Sequence, residues 1–166
     1  MLKKIARLRV PLGFAFGILV LWLANPTPRS IFWGAVVALA GEAMRIWAAG
    51  HLEKSREVTA SGPYAWTRHP LYFGSTLIGM GLAIGAASIP VALIVLGYLA
   101  VTLTAAIRTE EAHLTQKFGA AYPEYRAGRH SVKRSFSLER AMRNREYRAA
   151  LGVLVVLAVL AGKVWL

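Results

Sequence analysis

The stretch LYFGSTLIGMGLAIGAASIPVALIVLGYLAVTLTAAI, residues 71–107, runs without a single Asp, Glu, Lys or Arg. An α-helix rises about 1.5 Å per residue and bilayer hydrocarbon is about 30 Å thick, so one span needs about 20 apolar residues. This stretch holds nearly two such lengths. Ser88-Ile89-Pro90 interrupts it, and a break that short predicts a tight antiparallel hairpin with spans over Leu71 to Ser88 and Ile89 to Ile107. Gly81 and Gly85 inside the first arm have the Gly-x-x-x-Gly spacing that lets helix backbones approach. Gly79-Met80-Gly81 has no strand before it and is not read as a dinucleotide loop.

Outward from the hairpin, apolar segments recur at Leu8 to Ala24, Ile31 to about Ala49, and Ala149 to Leu166. Asn25-Pro26-Thr27-Pro28 stops the first and offers no small-x-small cleavage site, so Met1 to Ala24 reads as an anchor rather than a removed signal. The expected fold is all-α: a polytopic helical membrane protein of about five transmembrane helices, forming one domain over 1–166. With 56% hydrophobic residues in 166, the chain is too apolar for an ordinary soluble fold. Its formal charge of +12 is divided among short segments between apolar runs, not gathered in a stripe, which argues against nucleic acid. Zero cysteines exclude disulfides and thiolate catalysis.

By parity, the polar loops His51 to Pro70 and Arg108 to Arg148 share one side with Lys3, Lys4, Arg7 and Arg9, while the other side carries Arg29, with Lys163 near its end. The positive-inside rule makes the N-terminus and both loops cytoplasmic and puts the C-terminus opposite. The fourth helix is expected to run past the membrane, since Glu110, Leu114 and Phe118 recur at helical spacing until Gly119. The basic run Arg140 to Arg148 reads as a topology signal and an anionic-lipid contact.

Two places could carry chemistry. Residues 61–74, Ser-Gly-Pro-Tyr-Ala-Trp-Thr-Arg-His-Pro-Leu-Tyr-Phe-Gly, crowd turn formers, aromatics, a cation and an imidazole against the start of a span. The plain alternative is an interfacial aromatic belt, with Pro70 at the first helical position. Arg108-Thr109-Glu110-Glu111 puts adjacent carboxylates near a helix C-terminus, where the macrodipole disfavours anions and a cationic partner would relieve them.

The combination Gly62-Pro63-Tyr64, Arg68-His69-Pro70-Leu71-Tyr72-Phe73-Gly74, Glu110-Glu111, Phe118-Gly119 and Tyr122-Pro123-Glu124-Tyr125 resembles the isoprenylcysteine carboxyl methyltransferases and the related phospholipid methyltransferases. The resemblance covers about residues 40–126 and rests on order and spacing. It implies methyl transfer from S-adenosyl-L-methionine, without a Rossmann domain, to a lipid-like or prenylated acceptor entering from the bilayer. By the same resemblance His69, Pro70, Leu71 and Tyr72 line the cofactor. Tyr64 and a strand-like Val58-Thr59 close around it, and Glu110 meets its amino group, with Glu111 as fallback. The family often holds an acidic acceptor with an Arg just before the paired carboxylates. Here Arg108 is the nearest, and position 106, one turn before Glu110, is Ala. After Tyr125 the chain departs from the family pattern, reads Arg126-Ala127-Gly128-Arg129-His130, and adds the fifth span at about 149–166.

A carboxylate acceptor would need orientation and charge pairing, whereas an ammonium must first lose a proton to a base such as Glu111 or His113. Two other classes remain: a nicotinamide-dependent reductase of the sterol-reductase type, which shares an Arg-His-x-x-Tyr pattern, and a small proton-coupled transporter built on Glu42. Glu42 and Arg45, at i and i+3 inside the second span, read as a structural ion pair or a functional site. His51, His113 and His130 lack metal-ligand spacing, so no metal is expected.

Overall fold

The computed structural model describes residues 17–53, 56–128 and 134–165, and every regular element among them is helical. The described end of α1 is helical over 17–23. α2, Pro28–His51, starts on a capping box: Thr27 Oγ1 accepts the Ser30 N–H and Ser30 Oγ accepts the Thr27 N–H, with Pro28 needing no partner. A 3₁₀ turn, Gly62–Ala65, and α3, Pro70–Ala86, follow. Ala87, in the left-handed conformation at φ 48°, ends α3 and turns the chain into α4, Ile89–Phe118. The expected hairpin and the extension of its second arm to Gly119, at φ 52°, are both present. Short helices α5, Ala121–Arg126, and α6, Leu138–Arg143, lead to α7, Tyr147–Lys163.

The helices pack through their small residues. A Cβ on Gly34 of α2 would come within 2.6 Å of Gly81 O and Gly85 N, and one on Gly41 within 2.7 Å of Gly74 O. Backbone lies on backbone along the α2–α3 crossing, the packing that the Gly81/Gly85 spacing predicts. α7 covers this pair: Val153 and Leu157 pack with Ala38, and Leu160 joins Val20, Ala24, Ala86 and Val91 in a second cluster. Large apolar side chains such as Leu93, Val101, Leu151 and Leu154 point outward, where a bilayer supplies their solvent.

α2 and α4 are long and apolar enough to cross a membrane, whereas α3 and α7 have 17 residues each, a rise of about 25 Å. The start of the first expected span and Lys3, Lys4, Arg7, Arg9, Arg129 and His130 lie outside the described residues.

At the far end of α7, the Lys163 ammonium donates to the carbonyls of Leu21 (2.9 Å), Trp22 (2.8 Å) and Ala24 (2.6 Å), capping α1. The opposite end gathers the α2 C-terminus, the α3 N-terminus, the distal half of α4 and the α6–α7 elbow. Described residues of both polar loops meet there.

Candidate active site

The site begins where α3 begins. Pro70 occupies the first helical position and is buried, and His69 precedes it without a side-chain hydrogen bond to the first amides of α3. His69 Nε2 lies 3.1 Å from Glu111 Oε1, which also accepts from Arg68 Nη1 at 3.2 Å. This contact ties the α3 turn to α4 across 42 residues. Tyr72, one turn into α3, sets its ring 5.8 Å from the imidazole.

Between α2, α3, α4 and the connecting segments lies a cavity of about 1080 Å³. Val58, Thr59, Tyr64, His69, Pro70, Leu71, Tyr72 and Glu110 all line it. Val58 and Thr59 are buried but form neither strand nor helix, correcting the strand-like expectation. Thr59 Oγ1 accepts the Glu53 N–H at 3.2 Å, a local side-chain bond that holds the segment without a ladder partner.

The α4 contribution follows helix geometry. Leu99, Thr102, Ala106, Glu110, His113 and Lys117 recur at three- and four-residue steps along one face and line the cavity. Arg108 is two residues, about 200°, away from both Ala106 and Glu110. It is exposed and outside the lining set, so the acceptor-holding role suggested by its sequence position is not matched by its placement. Glu111 also lies off the lining face and serves as the tether to Arg68 and His69.

Burial, and then the Glu110 charge, push the Tyr64 phenol above the ordinary tyrosine range. Burial chiefly, with Tyr122 adding and Arg68 opposing, raises Tyr125 to about 12, and its hydroxyl donates to Tyr64 O at 2.7 Å. Both phenols therefore stay protonated at neutral pH, and the Tyr125 hydroxyl is the one that donates to backbone here.

The wall behind Val58 is held by charge. Glu53 Oε1 takes Arg140 Nε at 2.9 Å and Arg143 Nη2 at 3.0 Å, with Arg134 at 3.7 Å. The Arg140 hydrogen bond, foremost, holds its carboxyl below the usual range. Arg134 grips Glu57 through both carboxylate oxygens at 2.8 Å. Part of the basic run therefore turns inward: Arg140 also donates to Gly50 O, and Asn144 Nδ2 to Ala49 O and Leu52 O, capping α2. The lining members Asn144, Glu146 and Tyr98 escaped sequence reasoning. For Tyr98 the α4 periodicity was an available signal; for the other two nothing local was.

Arg45 pairs at 2.5 Å with Glu146, 101 residues away, while Glu42 stands 3.9 Å off with no hydrogen-bond partner for its carboxylate oxygens. Among the described residues no group of three or more His, Cys, Asp or Glu could hold a metal.

Comparison with known proteins returns a match to the family described as phospholipid methyltransferase over residues 14–121, which begins before the motif-bearing region and stops just short of Tyr122. No curated protein and no solved structure matches. Since the match spans well over half the chain and contains the cavity's α3 and α4 walls, the chain belongs to the phospholipid methyltransferase family and is an integral membrane methyltransferase.

Proposed function

We propose that the protein methylates the amine of a membrane-lipid headgroup, with S-adenosyl-L-methionine as donor. The observation that carries this reading is the convergence of Tyr64, His69 to Tyr72 and Glu110, from two distant segments, on one cavity whose α4 wall continues into apolar helix. At about 1080 Å³ it exceeds the roughly 300–1,000 Å³ usual for one small ligand, leaving room for donor and acceptor together.

The lining suits the donor. Tyr64, Tyr72 and Tyr125 offer aromatic faces to a sulfonium cation. The Glu110 carboxylate would hold the donor's ammonium, and the uncapped amides at the α3 N-terminus would hold its carboxylate. When bound, S-adenosyl-L-methionine supplies an electrophilic methyl group. The chain's own part is to position the acceptor, exclude water and take up the proton an ammonium must lose, for which His113 on the lining face of α4 is the base. Glu111, engaged by Arg68 and His69, fixes the α3 turn against α4 rather than receiving that proton.

Ala106 favours an amine over a carboxylate acceptor. It is buried in the lining one turn before Glu110, where an acidic acceptor would need a cation, and Arg108 faces away. In this reading residues 1–166 act as one domain with five passes, N-terminus and long loops cytoplasmic, C-terminus opposite, and the acceptor entering from the bilayer.

The test is calorimetric binding of S-adenosylmethionine and its demethylated product to the detergent-purified chain, with reduced nicotinamide as control. The donor is expected to bind, and His69→Ala and Glu110→Gln to abolish binding while the variants stay folded. Retained affinity in both variants sinks the residue assignment. Binding of nicotinamide in place of the donor moves the chain to the reductase class, and Glu42-dependent proton flux without donor binding moves it to the transporters.

A further inference from the structure

Gly74 closes the motif that begins at Arg68, and its lack of a side chain has a specific occupant. A Cβ there would lie 2.5 Å from Arg45 Cγ and 2.7 Å from Gly41 O. The Arg45 stem therefore crosses α3 at Gly74, and its guanidinium emerges beside the cavity. Nη1 donates to Ser75 Oγ at 2.5 Å and to Leu71 O at 3.4 Å, and Ser75 Oγ donates to the same carbonyl at 2.9 Å. Nε donates to Glu146 Oε1 at 2.5 Å. One side chain thus joins α2, the first turn of α3 and the residue preceding α7.

Glu146 is presented by a constrained elbow. Arg145, just before it, adopts φ 62°, a left-handed conformation uncommon for a residue with a side chain. The Glu146 N–H donates to Ala141 O at 3.2 Å, and the residue is buried. The elbow is fastened by Asn144 on the α2 carbonyls and by Arg140 and Arg143 on Glu53. The elbow residues Arg140 to Glu146 lie beyond the family match, which ends at 121.

We propose that Glu146 is a positioning residue for the methyl-donor site, acting through Arg45 on residues 69–75. Glu146 fixes Arg45 against Leu71 O and Ser75, and so fixes the turn that carries His69 and Tyr72. Glu42 is the competing partner. At 3.9 Å it takes no hydrogen bond from Arg45, and without Glu146 the guanidinium turns toward it and releases α3. The helical pair that looks like an appendage in the sequence is in this account part of the donor site.

This inference rests on the donor-binding reading above, and the experiment separates the two. Donor binding is measured by calorimetry on the full chain, wild type, Glu146→Gln and the double variant Arg45→Met/Glu146→Leu, alongside thermal unfolding and donor and acceptor KM with an aminophospholipid. Replacing a buried ion pair by an apolar pair commonly preserves or raises stability. The double variant is expected to stay folded, with a midpoint below wild type because Glu42 loses its neighbouring cation, yet to bind donor about tenfold more weakly, with acceptor KM unchanged. Glu146→Gln is expected to show the same loss with reduced stability. A folded double variant with wild-type donor affinity overturns the proposal, because the pair would then serve stability alone. Absence of donor binding in the wild type overturns the donor reading instead.

Discussion

Gly34→Ala isolates the force that holds the two sides of the cavity together. Its Cβ would meet Gly81 O at 2.6 Å, Gly85 N at 2.6 Å and Gly85 Cα at 2.7 Å, whereas ordinary contact begins at 3.4 Å. All three are backbone atoms that no rotamer change can remove, so α2 and α3 must part by about 0.8 Å, a gap that forfeits a quarter to a half of each dispersion contact along the crossing. Overpacking of this kind costs about 2 kcal/mol. Alanine also raises helix propensity over glycine by about 1 kcal/mol, so the proper reference is Gly97→Ala, a helical glycine with nothing within 4 Å of its Cβ. The difference between the two variants leaves the contact alone, and for a chain of this size about 2 kcal/mol lowers the unfolding midpoint by about 4–8 °C. Tryptophan fluorescence on heating in detergent reads it, with the Trp47–Trp66 edge contact at 5.2 Å reporting from the cavity end. Midpoints for the two variants less than about 1 °C apart would refute backbone-on-backbone packing.

Lys163→Met strips three carbonyls of their donor and is expected to lower stability by about 1–3 kcal/mol, read by the same melt; an unchanged midpoint would show that water caps α1 as well. Glu53 has a folded pKa below its ordinary 4.5, so its contribution is present above that value and disappears as pH falls through the folded one. Wild type is therefore expected to outlast Glu53→Gln at pH 7, with the gap closing under acid. A gap constant down to pH 3 contradicts the arginine-held carboxylate.

What the sequence made legible was whatever is local or periodic. The hairpin at Ser88-Ile89-Pro90, the α4 extension to Gly119 and the small-residue stripe at Gly81 and Gly85 follow from spacing along one helix, and the grouping of Tyr64, His69 to Tyr72 and Glu110 around one cavity follows from a motif's order. Arg108 stands outside the cavity lining because proximity in sequence is not helical phase: two residues before Glu110 is the opposite face. Glu146 and Asn144 were invisible because their partners, Arg45 and the α2 carbonyls, lie more than 90 residues earlier, and no periodicity relates them. The inward turn of Arg140 was hidden for the same reason, since a basic run looks alike whether it faces lipid or a carboxylate.

The Lys163 cap also orders the protein's assembly in time. α1 is synthesised well before α7, and the donor for its last carbonyls is 139 residues beyond Ala24. Until α7 arrives, those oxygens depend on interfacial water, because hydrocarbon offers none. A nascent chain halted anywhere before residue 163 therefore carries α1 without its ammonium cap. The carbonyl end of α1 is therefore completed only by α7, made 139 residues later.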